Sequence, residues 1–410
     1  MRQQHPLKVI FLTSSYPRSE NDTAAVFLRY LAEALVARNI EVHVLAPANG
    51  LRGIVPEGRV TVHHFQYFPL RWQKLAYGSG IIPNLKRSPW LWLQVPFFFM
   101  AMTWSLIRLL TAQRFDLIHA HWILPQGLVG LLGASLFRLP LVVTSHGTDA
   151  FALRGKFTTW LKNVVLQNSH AWSTNTPTTA EVLMRNSSMH HPRVIPMGVD
   201  TLRFASGHGE ALRRELTDGE SVVLFVGRLI ENKGCDDLIR AISLLPKQRR
   251  SQTTLWVVGD GVQRERLTLA AQELGISDKT KFFGMVSHTH LPDLYAAADV
   301  VVVPSKLGTS GETEGQGIVV LEAFAARACV LATRIGGITS MVRDGATGLL
   351  VEPGDPQSLS QAIDRLLNEP ELRKTLATHA FTEATAKYSW AQIAGEFENL
   401  YREVLKPAQY

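Results

Sequence analysis

Cysteine is nearly missing: Cys235 and Cys329 are the two in 410 residues. They lie far apart, cannot make a disulfide framework and have no metal-ligand spacing, so a reducing cytoplasm is the expected compartment. No Asp-x-Asp triplet occurs, which removes one common pair of carboxylates for a divalent ion. His119 and His121 could share one strand face, but no third ligand accompanies them, and no metal is expected. The opening residues, MRQQHPLKVIFLTSSYP, hold an apolar run of four. That is too short for a signal-peptide core, and no export is expected. Low-complexity tracts and short repeats are also missing. Between Gly58 and Phe115 no acidic residue occurs.

What is present is a chain of 45.6 kDa with 46% hydrophobic residues, long enough for two domains that each bury a core. Residues 1–200 hold 19 Lys and Arg against 9 Asp and Glu; residues 201–410 hold 23 against 26. The basic character therefore belongs to the first half. It peaks in the acid-free window, where Arg59, Arg71, Lys74, Lys86, Arg87, Arg108 and Arg114 accompany Trp72, Trp90, Trp92 and Trp104. Basic plus aromatic suits a nucleic acid or a membrane surface. No nucleic-acid module is recognisable, so no nucleic-acid partner is expected.

Short β-rich runs alternate with helical patterns. KVIFLTS, EVHVLAP, DLIHAHW, PLVVTSH and AWSTN read as buried parallel strands with AAVFLRYLAEALVARN and TTAEVLMRN as helices. A second series starts at SVVLFVG and continues through TTLWVVG, KFFGMV, DVVVVPS and CVLATR. This alternation specifies two doubly wound α/β domains. The expected division is an N-terminal domain over 1–200, a polar, glycine-containing linker over 201–218, a second domain over 219–388 and an amphipathic final helix over 389–410.

Ligands of such sheets sit where strands turn into helices at their carboxyl ends. GRLIENKG follows the strand SVVLFVG and puts Arg228 and Lys233 there, two cations suited to a diphosphate, or else solvated surface charges. SGETEGQGIVVLEAFA follows DVVVVPS and reaches the same edge. Gly315 and Gly317 allow close backbone approach, and the amides of Gly317, Ile318 and Val319 open a helix. Glu314 before that helix and Glu322 inside it can reach two parts of one elongated ligand: sugar, diphosphate, ribose. The plainer alternative is that Glu314 complements the helix dipole and Glu322 is solvated.

GRLIENKG, VVGDG, KFFGMVSHTHLPDLYAAADVVVVPS and EGQGIVVLEAFA, in this order, resemble the second domain of retaining family 4 glycosyltransferases. SSYP, HAHWILPQG, VVTSHGTD and VIPMGVD resemble the first domain, so the likeness runs over roughly residues 7–405. It implies the GT-B fold, two Rossmann-like doubly wound domains facing a cleft, with acceptor bound by the first, nucleotide sugar by the second, and the last helix returning to the first. It implies further that Arg228 and Lys233 bind the donor diphosphate, that Glu322 holds the ribose hydroxyls, and that Glu314 contacts the transferred sugar beside the amides of 317–319. His146 matches the histidine near the reacting centre, and Asp149 is a second candidate there. Backbone groups near Met285 and Val286 are expected to hold the base. Two positions depart from the family: NDTAAVF, with Thr23, Ala24 and Ala25, stands where glycines are frequent, and Met197 stands where asparagine is usual.

The expected function is retaining, metal-independent and cofactor-free transfer of a hexose from a UDP- or GDP-sugar. The expected acceptor is a lipid-linked saccharide or glycolipid in cell-envelope polysaccharide synthesis. A non-catalytic sugar-nucleotide-binding subunit, or an epimerase or phosphorylase on the same fold, is the alternative. SPWLWLQVPFFFMAMTWSLIRLL is interrupted by Gln94, Pro96, Thr103, Ser105 and Arg108, which speaks against a membrane span. Together with the cations around it, it is expected to dock the chain peripherally on an anionic membrane's inner, cytoplasmic face.

Overall fold

The computed structural model describes residues 5–19, 22, 25–48, 50, 53–57, 59–78, 80–152, 155–185, 190–309 and 314–406. The chain divides into two units, one made of Met1–Pro196 with Trp390–Tyr410, the other of Met197–Ser389.

Among the described residues the first unit carries an eight-stranded sheet in the order β3-β4-β2-β1-β5-β6-β7-β8. Its strands are β1 (Leu7–Leu12), β2 (Ile40–Pro47), β3 (Gly53–Glu57), β4 (Val60–Phe65), β5 (Leu117–His121), β6 (Leu141–Ser145), β7 (Ala171–Thr174) and β8 (Arg193–Val194). All pair in parallel except the edge strand β3, antiparallel to β4. Both faces are buried, as the apolar runs require. Along β1, Val9 and Phe11 meet α1 (Val26–Ala37) and the C-terminal helix Trp390–Leu405. Ile10 and Leu12 face the opposite layer, built from α2 (Gln94–Ala112), α3 (Leu128–Phe137) and α4 (Lys156–Gln167). The C-terminal helix belongs to this unit because Ile393, Phe397 and Tyr401 complete its core; Arg38 pairs with Glu398 at 2.6 Å.

Helix α2 is the long apolar segment. Gln94, Phe98, Met102, Leu106 and Leu110, four residues apart, are its buried face. Leu93, Phe97, Met100 and Trp104 run along the other side and are exposed. Pro89–Ala112 is long and apolar enough to cross a membrane by length and composition, yet one face is committed to the sheet.

The second unit begins with a correction. Residues 201–218 form α5 (Thr201–Ala205) and α6 (Glu210–Leu216) instead of a linker. They pack on α8 (Leu291–Ala297), where Arg213 donates to the carbonyl of Ala297 and to Asp299, both at 2.8 Å. Among the described residues the sheet has six parallel strands in the order β11-β10-β9-β12-β13-β14. These are β9 (Ser221–Val226), β10 (Thr253–Val258), β11 (Thr280–Gly284), β12 (Val300–Val303), β13 (Val330–Thr333) and β14 (Leu349–Val351). Helices α7 (Cys235–Ser243) and α9 (Ile318–Ala325) follow β9 and β12.

In this order β9 and β12 are neighbours, while the chain leaves β9 toward β10 on one side and leaves β12 toward β13 on the other. That is the topological switch point of a doubly wound sheet, where a crevice opens beyond the carboxyl ends. The first unit has its own between β1 and β5. SSYP and HAHWILPQG leave those two strands.

Candidate active site

Arg228, Lys233 and Glu314 follow β9 and β12, so the switch point of the second unit collects them. Lys233 Nζ donates to Glu314 Oε2 at 2.5 Å, and Ser305 Oγ donates to the same oxygen at 3.1 Å. The peptide of Gly337 holds Glu314 from behind, its N–H 3.1 Å from the Glu314 carbonyl. Burial pushes the Glu314 carboxyl up, but the Lys233 charge, the bonds from Lys233 and Ser305, and the Arg228 charge outweigh it. The result is a carboxylate held below its ordinary range. A partly buried, ionised acceptor and a cation thus stand side by side, each able to exchange its partner for a ligand's hydroxyl or phosphate.

The two loops are tied together by a residue the sequence reading passed over. Lys306 donates to Asp236 at 2.8 Å and to Asp237 at 2.9 Å on α7, while its N–H bonds the Asn232 carbonyl at 2.9 Å. The clamp fixes the ENKG turn against the loop that carries Ser305. Pairs seventy positions apart leave no local signature.

Helix α9 opens at Gly317, whose φ of 77° is left-handed. The N–H of Val320 bonds back to the Gly317 carbonyl, and Ile318 and Val319 stand in the first turn, where the N–H groups have no partner within the helix. Gln316 anchors the loop to the start of the unit, accepting from Met197 N at 2.7 Å and donating to Met197 O at 3.2 Å. Met197 therefore serves through its backbone, and its side chain is buried.

Glu322 is a buried residue, not a solvated one. Tyr295 on α8 donates to its Oε2 at 2.7 Å, and His288 Nε2 lies 3.7 Å from Oε1. Burial pushes this carboxyl up, against the Tyr295 bond and the Arg203 charge. Met285 and Val286 leave the end of β11, on the same sheet edge. Arg228 is exposed there.

In the first unit His146 follows β6. Its Nε2 lies 3.1 Å from His121 Nδ1, with the rings stacked 5.3 Å apart, and Phe27 and Trp122 close around it. Burial pushes its pKa down to about 3, so it is neutral at physiological pH. His146 Nδ1 and His121 Nε2 are buried without a hydrogen-bond partner, a donor or acceptor each that a ligand hydroxyl could engage. His119 is a structural residue: its nitrogens meet Tyr401 Oη and Thr144 Oγ1, both at 2.7 Å.

Asp149 has both carboxylate oxygens engaged. One oxygen accepts from Ile123 N at 2.9 Å and the other from Ser145 Oγ at 2.8 Å. The residue is buried, and it fixes the segment after β5. Thr23 and Ala24 of the glycine-poor loop lie outside the described residues. Ala25 caps α1 at φ 52° and ψ 37°, the left-handed conformation that costs an alanine about 1 kcal/mol and a glycine nothing.

Residues 210–382 match the profile described as glycosyl transferases group 1, and residues 24–203 match that of glycosyltransferase family 4. D-inositol 3-phosphate glycosyltransferase of Acidothermus cellulolyticus is 32% identical over 409 residues, 93% of this chain and 85% of the relative. The enzyme of the same name from Corynebacterium jeikeium is 33% identical over 316 residues, 72% of this chain and 73% of its own. Among solved structures, sucrose-phosphate synthase from Thermosynechococcus elongatus superposes with a TM-score of 0.79 at 25% identity, covering 97% of this chain and 99% of that one.

Proposed function

The chain belongs to glycosyltransferase family 4 and has the GT-B fold, and from that premise we propose that it is a retaining, metal-independent hexosyltransferase. Its donor is a UDP- or GDP-sugar and its acceptor a hydroxyl of a lipid-linked saccharide or glycolipid, in cell-envelope polysaccharide synthesis at the cytoplasmic face of a membrane. The observation that carries the donor half is the meeting of Arg228, Lys233, Glu314 and the first turn of α9 at one switch point.

The chemistry follows from the charges. As the bond from the anomeric carbon to the β-phosphate oxygen breaks, negative charge grows on the diphosphate and positive charge on the ring. Arg228, Lys233 and the amides of Gly317, Ile318 and Val319 stabilise the first. A cation ~4 Å away contributes roughly 4 kcal/mol at an effective dielectric near 20, before desolvation. Glu314 accepts from sugar hydroxyls, Glu322 from the ribose, and the base rests on backbone near Met285 and Val286. His146, neutral and with Nδ1 unsatisfied, is assigned a contact with the transferred sugar. The acceptor oxygen attacks on the face the diphosphate leaves, and its proton passes to the departing phosphate oxygen. Asp149, with both oxygens engaged, is less suited to attack than Glu314.

The acceptor half rests on the surface of the first unit. Trp72, Trp90, Trp92 and Trp104 are all exposed, beside Arg71, Lys74 and Arg87. The test is a thermal-shift screen of UDP- and GDP-sugars, followed by turnover with membrane-extracted acceptor and the anomeric configuration of the product by NMR. Stabilisation by one donor, acceptor-dependent release of its nucleotide and an unchanged anomer are expected. Donor binding without any turnover would make the chain a binding subunit, and an inverted product would end the retaining reading.

A further inference from the structure

The ribose reading of Glu322 leaves open what aims that carboxylate, and the surrounding side chains supply an answer. Tyr295 and Glu322 come from α8 and α9 and are both buried, Tyr295 in the same apolar cluster as Leu321 and Ala323 on either side of Glu322. The phenol ring is held edge-on by Phe204 of α5, centroids 5.6 Å apart, and its hydroxyl reaches Oε2 of Glu322 at 2.7 Å. Oε1 has His288 Nε2 at 3.7 Å, outside hydrogen-bonding range. We propose that Tyr295 is a positioning residue for the donor: by holding Oε2 it turns Oε1 toward the ribose, and donor recognition by Glu322 depends on it.

The geometry is asymmetric in a useful way. A buried carboxylate with one neutral donor is short of partners, and two vicinal hydroxyls are donors of the right number and spacing for the remaining lone pairs. The same bond favours the ionised form. Burial drives the Glu322 carboxyl up, and the groups that face it are Tyr295 from α8, Arg203 from α5 and His288 after β11. His288 is itself pushed down by burial and by Arg203, so it brings no charge at neutral pH. Removing the Tyr295 hydroxyl therefore both frees the carboxylate to rotate and raises the pH at which it takes a proton.

The experiment is calorimetric binding of UDP and GDP, each compared with its 2′,3′-dideoxy counterpart, between pH 5 and 8. It uses the wild type, Tyr295→Phe, Glu322→Gln and the double variant. The wild type is expected to prefer the ribose form of whichever nucleotide binds, and Glu322→Gln to abolish the preference. Tyr295→Phe is expected to lose about ten-fold of it and to move its acid midpoint upward, with no further effect in the Glu322→Gln background. A wild type indifferent to the hydroxyls overturns the ribose reading and the proposal with it. If wild type and Glu322→Gln behave as expected but Tyr295→Phe keeps the full preference and midpoint, the positioning role alone is overturned. Should the phenylalanine variant not fold, 3-fluorotyrosine at position 295 keeps the hydroxyl and makes it a stronger donor. The acid midpoint should then move downward, and an unmoved midpoint overturns the proposal.

Discussion

Gly234 and Pro304 touch backbone to backbone: a Cβ added to Gly234 would lie 1.8 Å from the carbonyl oxygen of Pro304. This contact, with φ at 67°, is what lets the turn carrying Lys233 sit against the end of β12. Neither partner can yield, since one is a helix cap and the other leaves a buried strand. Gly234→Ala should destabilise the second unit by ~3 kcal/mol or more, read as a loss of denaturation midpoint together with donor binding. Unchanged stability would mean the two loops are not locked as described.

Lys233 and Arg228 should weigh differently although both are assigned to the diphosphate in the proposed function. Arg228→Ala is expected to lower turnover by about two to three decades with little change in stability, as ~3 to 4 kcal/mol of charge stabilisation disappears. Lys233→Ala should cost as much turnover and also lower stability, because it strands the Glu314 carboxylate. Adding Glu314→Gln should then restore stability but not turnover. Near-wild-type rates for either alanine variant would remove the diphosphate assignment.

Activity should survive EDTA, because in the proposed site two cations and a helix amino terminus oppose the charge of the leaving group. Complete loss restored by magnesium or manganese would show that a metal stabilises the diphosphate instead.

Much of the fold was legible because strands buried on both faces leave long apolar runs, and the placement of Arg228, Lys233 and Glu314 at one sheet edge because each lies in the connection that follows a strand. Residues 201–218 were misread for a physical reason. Gly207 and Gly209 looked like flexible linker glycines, but a Cβ at either would lie 2.2 Å from backbone, of Pro292 and Ala297 respectively. They are there for close packing. Tyr295, Ser305, Lys306 and His121 were missed as partners because each acts on a residue distant in sequence or read as core. The two donors of Asp149, Ile123 N–H and Ser145 Oγ, also left no local signal.

Acid should weaken the first unit well above the pH at which carboxylates titrate. His43, His63, His119, His121 and His146 are all pushed down by burial, His63 to about 4 and His146 to about 3. Their unfolded pKa is near 6.5, so below that pH the unfolded chain binds more protons. Stability is full above about pH 6.5 and falls as pH drops toward the folded values; for His63 alone the limit is on the order of 3 kcal/mol. Asp149, pushed up, works the other way but is one group against five. Denaturant midpoints should therefore drop between pH 7.5 and 5, and midpoints flat over that range would mean the imidazoles are not sealed.

Membrane docking is the last expectation, and the exposed side of α2 sets its form. Leu93, Phe97, Met100 and Trp104 recur at three- and four-residue spacing, so they line one stripe along the helix, which continues to the exposed Arg108. Phe98, Met102 and Leu106 supply the buried face, and of the stripe Phe97 alone makes a ring contact among the described residues, with Phe68 at 5.6 Å between centroids. Trp90 and Trp92 precede it, and Arg71, 4.6 Å above the Trp72 ring, adds a cation held on an aromatic. Tryptophans favour the headgroup boundary, and each cation gains roughly 1 kcal/mol at an anionic leaflet. The helix would then lie in the plane of the interface with its polar termini in water. Binding to vesicles containing anionic lipid is expected at low salt. It should weaken with salt and with Arg71, Lys74, Lys86 and Arg87 changed together to Glu. Trp104→Glu with Phe97→Glu should abolish the salt-resistant part while leaving nucleotide binding unchanged. Protein that ignores such vesicles at low salt and glycosylates a water-soluble acceptor at full rate would leave this surface with another purpose.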